Sequence, residues 1–216
     1  MLFPSYHRLR LIVALALALA NSSYAQVNII NAVELNDPNY FYLDTVTMAG
    51  GTLTFASGVT SNAFTLGGLA AAQAGTGYNI SLQNTASAAI GLSVGNNDAS
   101  TLYAGVLSGL GSLYKIGTGT LTLTGVNTYS GGTTISFGTL QIGNNGTIGS
   151  IAGNVINNAT LTFARSDDIT FANNISGTGQ VVQKGGGQLS LKGANTYTGG
   201  TISNAGYILI GEQFRQ

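Results

Sequence analysis

The 216-residue chain contains no cysteine and no tryptophan, one histidine (His7), and charged side chains at only 6% of its positions. Without cysteine it has no disulfide, thiolate nucleophile or zinc–thiolate site, so its stability must come from backbone pairing and packing. The lone histidine falls in a stretch that is not part of the fold. His7, Arg8 and Arg10 form a positive flank, Leu11 to Ala20 an apolar core, and Ser23-Tyr24-Ala25 a small-x-small cleavage site. The core is shorter than the roughly 20 residues a membrane helix needs, and Asn21-Ser22-Ser23 interrupts it. Residues 1–25 therefore read as a secretory signal peptide, with cleavage expected between Ala25 and Gln26. The exported chain then has no histidine either, which removes Ser-His-Asp and Cys-His nucleophile systems and histidine metal sites.

The remaining charges are Lys115, Arg165, Lys184, Lys192 and Arg215 against Glu34, Asp37, Asp44, Asp98, Asp167, Asp168 and Glu212, a balance of five to seven. A surface near minus two with no basic stripe cannot neutralise a row of phosphates, so no nucleic-acid partner is expected. The exported chain also contains no expected membrane span. An apolar fraction of 44% with little net charge argues against disorder. A cysteine-free exported chain of this size fits a bacterial origin. In so Asn-, Ser- and Thr-rich a chain, the five Asn-x-Ser/Thr sequons are expected coincidences.

What is plentiful is Gly, with 32 residues, together with Thr, Ser and Asn. These suit short pleated strands and tight corners. The stretch Gly119-Thr120-Leu121-Thr122-Leu123-Thr124-Gly125-Val126-Asn127-Thr128-Tyr129-Ser130-Gly131-Gly132 returns further along as Gly187-Gln188-Leu189-Ser190-Leu191-Lys192-Gly193-Ala194-Asn195-Thr196-Tyr197-Thr198-Gly199-Gly200. The same offset aligns Tyr103 with Phe171, Leu107 with Ile175 and Gly138–Gly143 with Gly206–Gly211, giving copies at about 100–143 and 168–211. Thr52-Leu53-Thr54-Phe55-Ala56 recurs letter for letter at Thr160–Ala164.

A fixed period of this kind marks a repeat architecture. Strands of four to six residues alternate apolar with Thr or Ser, so each shows one face to a core and the other to water. Such units bury their apolar faces by stacking as coils. With about 20 to 23 residues per coil, the 68-residue unit is expected to hold three coils. The exported chain is then expected to make eight or nine coils and a rod about 40 Å long. The corners are expected to use Gly and Asn for positive φ, with Asn side chains joined in amide ladders. Only Leu69–Ala74 looks helical, as a single turn. The expected fold is all-β, a parallel β-helix (solenoid) over residues 46–216, with residues 26–45 as an N-terminal cap. An up-and-down barrel or sandwich also has many short strands, but has no reason to repeat its core at one long fixed spacing.

From Gly117 to Ile135 the chain reads Gly-Thr-Gly-Thr-Leu-Thr-Leu-Thr-Gly-Val-Asn-Thr-Tyr-Ser-Gly-Gly-Thr-Thr-Ile, with Val106–Lys115 leading in. This resembles the autotransporter-associated β-strand repeat of bacterial autotransporter passenger domains, over about residues 100–211 and more faintly over 46–99. The resemblance implies a right-handed parallel β-helix, exported to the cell surface, outer membrane or medium, and adhesive or forming a stalk. The partners it implies are glycans or proteins of host or neighbouring cells. End-to-end stacking of solenoids is a further expectation. A complete autotransporter ends in a membrane β-barrel with an aromatic final strand, which this sequence lacks. It is expected to be a truncated passenger or a protein exported without its own translocator.

No catalytic, cofactor-binding or metal-ligating residue is assigned. Asp167-Asp168, with Arg165 beside them, are the only adjacent carboxylates. Two carboxylates can serve a glycosidase as acid and base, and Asp98 is the other candidate. Neighbours on an extended chain point to opposite faces, so a solvated turn neutralised by Arg165 is the expectation. The Gly-Gly-x-Gly-x-Asp calcium repeat and a phosphate loop are both absent. Tyr129 and Tyr197, if exposed, could stack on sugars; as recurring corner residues they are expected to be packing pieces.

Overall fold

The structure, a computed structural model, describes residues 25–211. Residues 1–24 of the expected leader lie outside the described residues, and the first strand begins at Gln26, the residue after the expected cleavage point.

The chain winds through nine layers. The first layer holds β1 (Gln26–Ile29) and β2 (Val33–Leu35), and the second β3 (Thr45–Met48), β4 (Leu53–Phe55) and β5 (Ala63–Leu66). The third has β6 (Gly68–Ala70), β7 (Ile80–Ser81) and β8 (Gly91–Val94), and the fourth β9 (Thr101–Tyr103), β10 (Leu107–Ser108) and β11 (Ser112–Lys115). Next come β12 (Thr120–Leu123) with β13 (Thr133–Ile135), then β14 (Thr139–Gly146) with β15 (Val155–Asn157). The seventh layer has β16 (Thr160–Arg165), β17 (Ile169–Phe171) and β18 (Ile175–Ser176). The eighth has β19 (Gln180–Gln183) and β20 (Gln188–Leu191), and the ninth β21 (Thr201–Ser203) and β22 (Tyr207–Ile210).

Every pairing between these strands is parallel. They form three faces. The first runs from β1, β3 and β6, through the bridge of Ala71 to Tyr103, to β9, β12, β14, β16, β19 and β21. The third holds β5, β8, β11, β13, β15 and β18, and the second holds the rest. At about 4.8 Å per layer, nine layers make a shaft of about 40 Å, as expected.

Alternation explains the core. On the first face, Ile29, Met48, Ala71, Tyr103, Leu123, Ile142 and Phe163 rise as one inward column, each no more than 2% exposed. Burying each large member contributes about 2 kcal/mol. Residues 26–45 share this plan, since β1 and β2 pair in register with β3 and β4. Leu69–Ala74 is not helical: β6 and the bridge at Ala71 occupy its first half, and the one helical turn among the described residues is 3₁₀, at Thr76–Tyr78. That turn and the antiparallel bridge Gln83 to Ala89 take up the surplus in the third layer, where Ala71 and Tyr103 are partners despite the longer intervening chain.

The arithmetic of the repeat differs from expectation. In-register partners on the first face, such as Leu121 with Leu140, Leu161 with Val181 and Val181 with Thr201, are separated by one coil of about 20 residues. The 68-residue unit is therefore three coils plus one face. β11 and β12 lie on the third and first faces, whereas their copies β19 and β20 lie on the first and second. Backbone ladders require only a parallel neighbour at the layer spacing, and the three sides are alike enough to accept the same strand–corner–strand unit.

Candidate functional site

At the corners the strand ladder lapses, and a backbone N–H of one layer no longer faces a carbonyl of the next. Short polar side chains fill the gap, each reaching into the adjoining coil. Asp98 Oδ1 accepts the Thr118 N–H at 2.6 Å, Asn158 that of Thr178 at 3.2 Å, and Asp168 that of Gln188 at 2.8 Å. Asn154 and Asn174 do the same for Asn174 and Ala194. Asn127 and Asn195 reach back a layer, accepting the Leu107 and Ile175 N–H groups at 2.8 and 2.9 Å. The expected amide ladder occurs once among the described residues, as Asn84 Nδ2 donating to Asn62 Oδ1. Elsewhere the corner asparagines serve mainly backbone, Asn97 adding a bond to Thr45 Oγ1, because orphaned backbone donors at a corner cost more than exposed amides do.

This accounts for the carboxylates. The Thr118 N–H holds Asp98 below the usual carboxylate range, and the Arg165 guanidinium does the same to Asp167. Arg165 grips Asp167 through Nε at 2.9 Å and Nη2 at 2.5 Å, and its Nη1 and Nη2 also donate to the carbonyls of Gly149 and Thr147. It thereby ties the bulged end of β14 to the next layer. Asp168 turns the other way to cap Gln188. Asp98 lies between β8 and β9 and Asp168 between β16 and β17, on different corners and three layers apart, about 14 Å along the axis. Glycosidase carboxylates stand about 5 to 9.5 Å apart across one bond. The structure joins Asp167 and Arg165 as a corner clasp, turns Asp168 to the Gln188 N–H and leaves Asp98 apart from them. Among the described residues, no three His, Cys, Asp or Glu side chains converge on a metal position.

The tyrosines are packing pieces. Tyr129 is fully buried, its hydroxyl 2.6 Å from Thr133 Oγ1, and Tyr197 repeats the contact with Thr201 at 2.5 Å while partly buried. Tyr129 offers no face to a sugar, and Tyr197 packs against the core. Burial pushes the Tyr129 and Tyr103 hydroxyls well above the ordinary tyrosine range.

Sequence reasoning missed Lys115, taking it as surface charge. It is fully buried on the third face, in the inward column between Val94 and Ile135. Its Nζ donates to the carbonyls of Ile116, Gly117 and Phe137 at 2.5, 2.7 and 3.3 Å, stitching two layers at the corner. Burial pulls it down to about 8, partly opposed by Asp98. The signal lay in the alternation Leu113-Tyr114-Lys115 and in the repeat, where the equivalent residue is Gln183, also buried and bonded to the Gly187 carbonyl.

What remains is surface. A shallow neutral groove between β13 and β15 is lined by Ser130–Thr134, Asn154 and Ile156. Among the large exposed apolar side chains, Leu110, Val126, Phe137 and Ile148 are spread over three corners. No helix among the described residues is long and apolar enough to cross a membrane.

Comparison with known proteins fits this geometry. The passenger-associated-transport-repeat family matches residues 113–142 and 181–210, the two strand–corner–strand units. The chain is 53% identical over 55 residues to the adhesin BmaC autotransporter of Brucella suis biovar 1, covering 26% of this chain and 2% of that protein. It is 54% identical over 41 residues to the autotransporter lipoprotein NalP of Neisseria meningitidis serogroup B, covering 19% of this chain and 4% of that protein. The chain thus spans only a few per cent of the length of the curated relatives it matches. No solved structure matches it.

Proposed function

We propose, from a chain that carries two passenger-associated-transport-repeats on a parallel β-solenoid, that the protein is a non-enzymatic, passenger-type shaft of the bacterial surface or medium. It acts as an adhesive or structural stalk, reached by export through the leader at residues 1–25. The observation that carries this is how the polar groups are used. Asp98 and Asp168 hold backbone N–H groups of the next layer, and Asp167 is held by Arg165, so each candidate acid is committed to joining coils. A glycosidase also needs two carboxylates across one bond, and Asp98 and Asp168 stand on different corners three layers apart. Partners are then read by the neutral Thr, Ser and Asn rows of the outer faces, and glycans or proteins of host or neighbouring cells are the class such a surface suits.

Two assays on the exported chain test this together. Binding to intact cells and to arrayed glycans and proteins is expected, with no release of reducing ends from a polysaccharide panel. Polysaccharide turnover that Asp168→Ala abolishes would replace the stalk with a carbohydrate-active β-helix.

A further inference from the structure

The ninth layer is built like the interior layers but is not covered like them. Leu140 and Ile142 on β14 are 0% and 1% exposed, because β16 lies over them with Leu161 and Phe163 in register. Their counterparts on β22 are Ile208, partly buried, and Ile210, 53% exposed. Among the described residues, strand β22 pairs with β20 on one side alone, and β21 with β19. The Gly211 N–H donates back to the Leu191 carbonyl, so by alternation the N–H groups of Ile208 and Ile210 face the open side.

A second, independent observation lies on another face. Asn127 Nδ2 donates to the Gly125 carbonyl and, at 2.9 Å, to the Ser150 carbonyl of the following layer. Asn195 holds the equivalent position of the later repeat, one face further round the shaft, and its Nδ2 is buried with no partner among the described residues. A buried amide donor left unpaired costs about 1–3 kcal/mol. In the earlier copy that nitrogen has two acceptors, and the one from the following layer, the Ser150 carbonyl, has no counterpart over Asn195 among the described residues. Natural sheet edges are commonly blunted by charge, yet residues 193–211 contain no charged side chain, and Ile202, Tyr207 and Leu209 are all exposed there.

We propose that this end of the shaft is an acceptor for one further coil in parallel register, whose chemistry is that of residues 144–164. The occupant is a neutral segment of about 20 residues, one coil, alternating apolar with Ser or Thr. It sets two apolar side chains over Ile208 and Ile210 and one carbonyl over Asn195, by strand addition. The acceptor does not depend on what the sides of the shaft bind.

The test appends the sequence of residues 144–164 directly after Gly211, with the same residues in scrambled order as the comparison. Hydrogen exchange at the Ile208 and Ile210 amides is expected to slow at least tenfold with the ordered segment and not with the scrambled one. Ile210→Asp, at a site already half exposed, is expected to leave the chain without the segment folded and to abolish the protection. Asn195→Ala is expected to become more destabilising once the segment is present. Equal exchange with ordered and scrambled segments overturns the proposal. Protection of β22 by self-association of the chain without the segment, rising with concentration in sedimentation, also overturns it, because a second copy then fills the edge.

Discussion

Asn127 and Asn195 share one sequence motif, so substituting each with alanine isolates what the neighbouring layer contributes. Asn127 is 2% exposed and makes three side-chain bonds: it accepts from Leu107 N and donates to the Gly125 and Ser150 carbonyls. Asn127→Ala strands a buried Leu107 N–H at about 2 kcal/mol. The two carbonyls are spared orphaning, since Gly125 O still accepts Ser150 N and Ser150 O still accepts Asn127 N. Their lost second bonds add about 1 kcal/mol between them, for a total of about 3 kcal/mol. Asn195→Ala strands only the Ile175 N–H and removes an Nδ2 that already lacks a partner, so its net cost is about 1 kcal/mol. Because solenoid stability sums over neighbouring layers, native-state hydrogen exchange at Leu107 and Ile175 is the assay, with chemical denaturation beside it. The Leu107 amide is expected to lose protection by more than tenfold relative to the loss at Ile175. Equal losses would refute the idea that a following layer completes this corner.

Three further outcomes follow from the same geometry. Lys115 titrates near 8 when folded and near 10.5 when unfolded, so between those values the unfolded chain binds one more proton and stability rises with pH. The full rise is about 3 kcal/mol, cut short above about pH 10, where the buried Tyr103 and Tyr129 keep protons the unfolded chain loses. Denaturation midpoints followed from pH 7 to 10 should climb in the parent and stay flat in Lys115→Gln. Gly117 has φ +67° and a side chain there would strike the Gly95 carbonyl, so Gly117→Ala should cost more than about 2 kcal/mol, whereas Gly146→Ala, with nothing near, should stay within about 0.5 kcal/mol in thermal melts. Arg165→Ala removes the Asp167 pair and the bonds to Thr147 and Gly149, and should speed amide exchange over residues 143–149 with a global cost of about 1 kcal/mol.

Strand type and stacking were legible because alternation and a long repeat are statements about faces and neighbours, which sequence carries directly. Leu121, Leu123, Leu189 and Leu191 all point inward as their alternation with Thr, Ser and Gln requires. The role of Asn127 and Asn195 as corner pieces was legible too, though not that they would bond backbone in place of each other. Lys115 was not legible by residue type, since a lysine inside is stable only where carbonyls converge, and that convergence needs two layers at once. The number of coils per repeat was hidden for a similar reason. A repeat records which residues follow one another, and a three-sided shaft of short coils lets the same succession start on any side.

That mismatch bears on how such a surface can be read by a partner. The copies at 113–142 and 181–210 lie three and a third coils apart, about 16 Å along the axis and a third of a turn around it. Like positions such as Thr134 and Ile202 therefore face different directions: Thr134 on the third face, Ile202 on the first. A flat partner laid along one side meets a row of unlike residues, Ser93, Tyr114, Thr134, Ile156 and Ser176, and not a row of repeated ones. Avidity from repeated identical sites thus requires a ligand that wraps the shaft, because the linker must span both the rise and the turn. Specificity along one side is set instead by outward residues that the repeat leaves free to vary. On the third face, replacing Tyr114 and Ile156 by threonine should change what that side binds while leaving thermal stability within about 1 kcal/mol, as both point outward. Binding that survives this pair of changes but falls when an outward residue of the first face is altered would move the contact to that side.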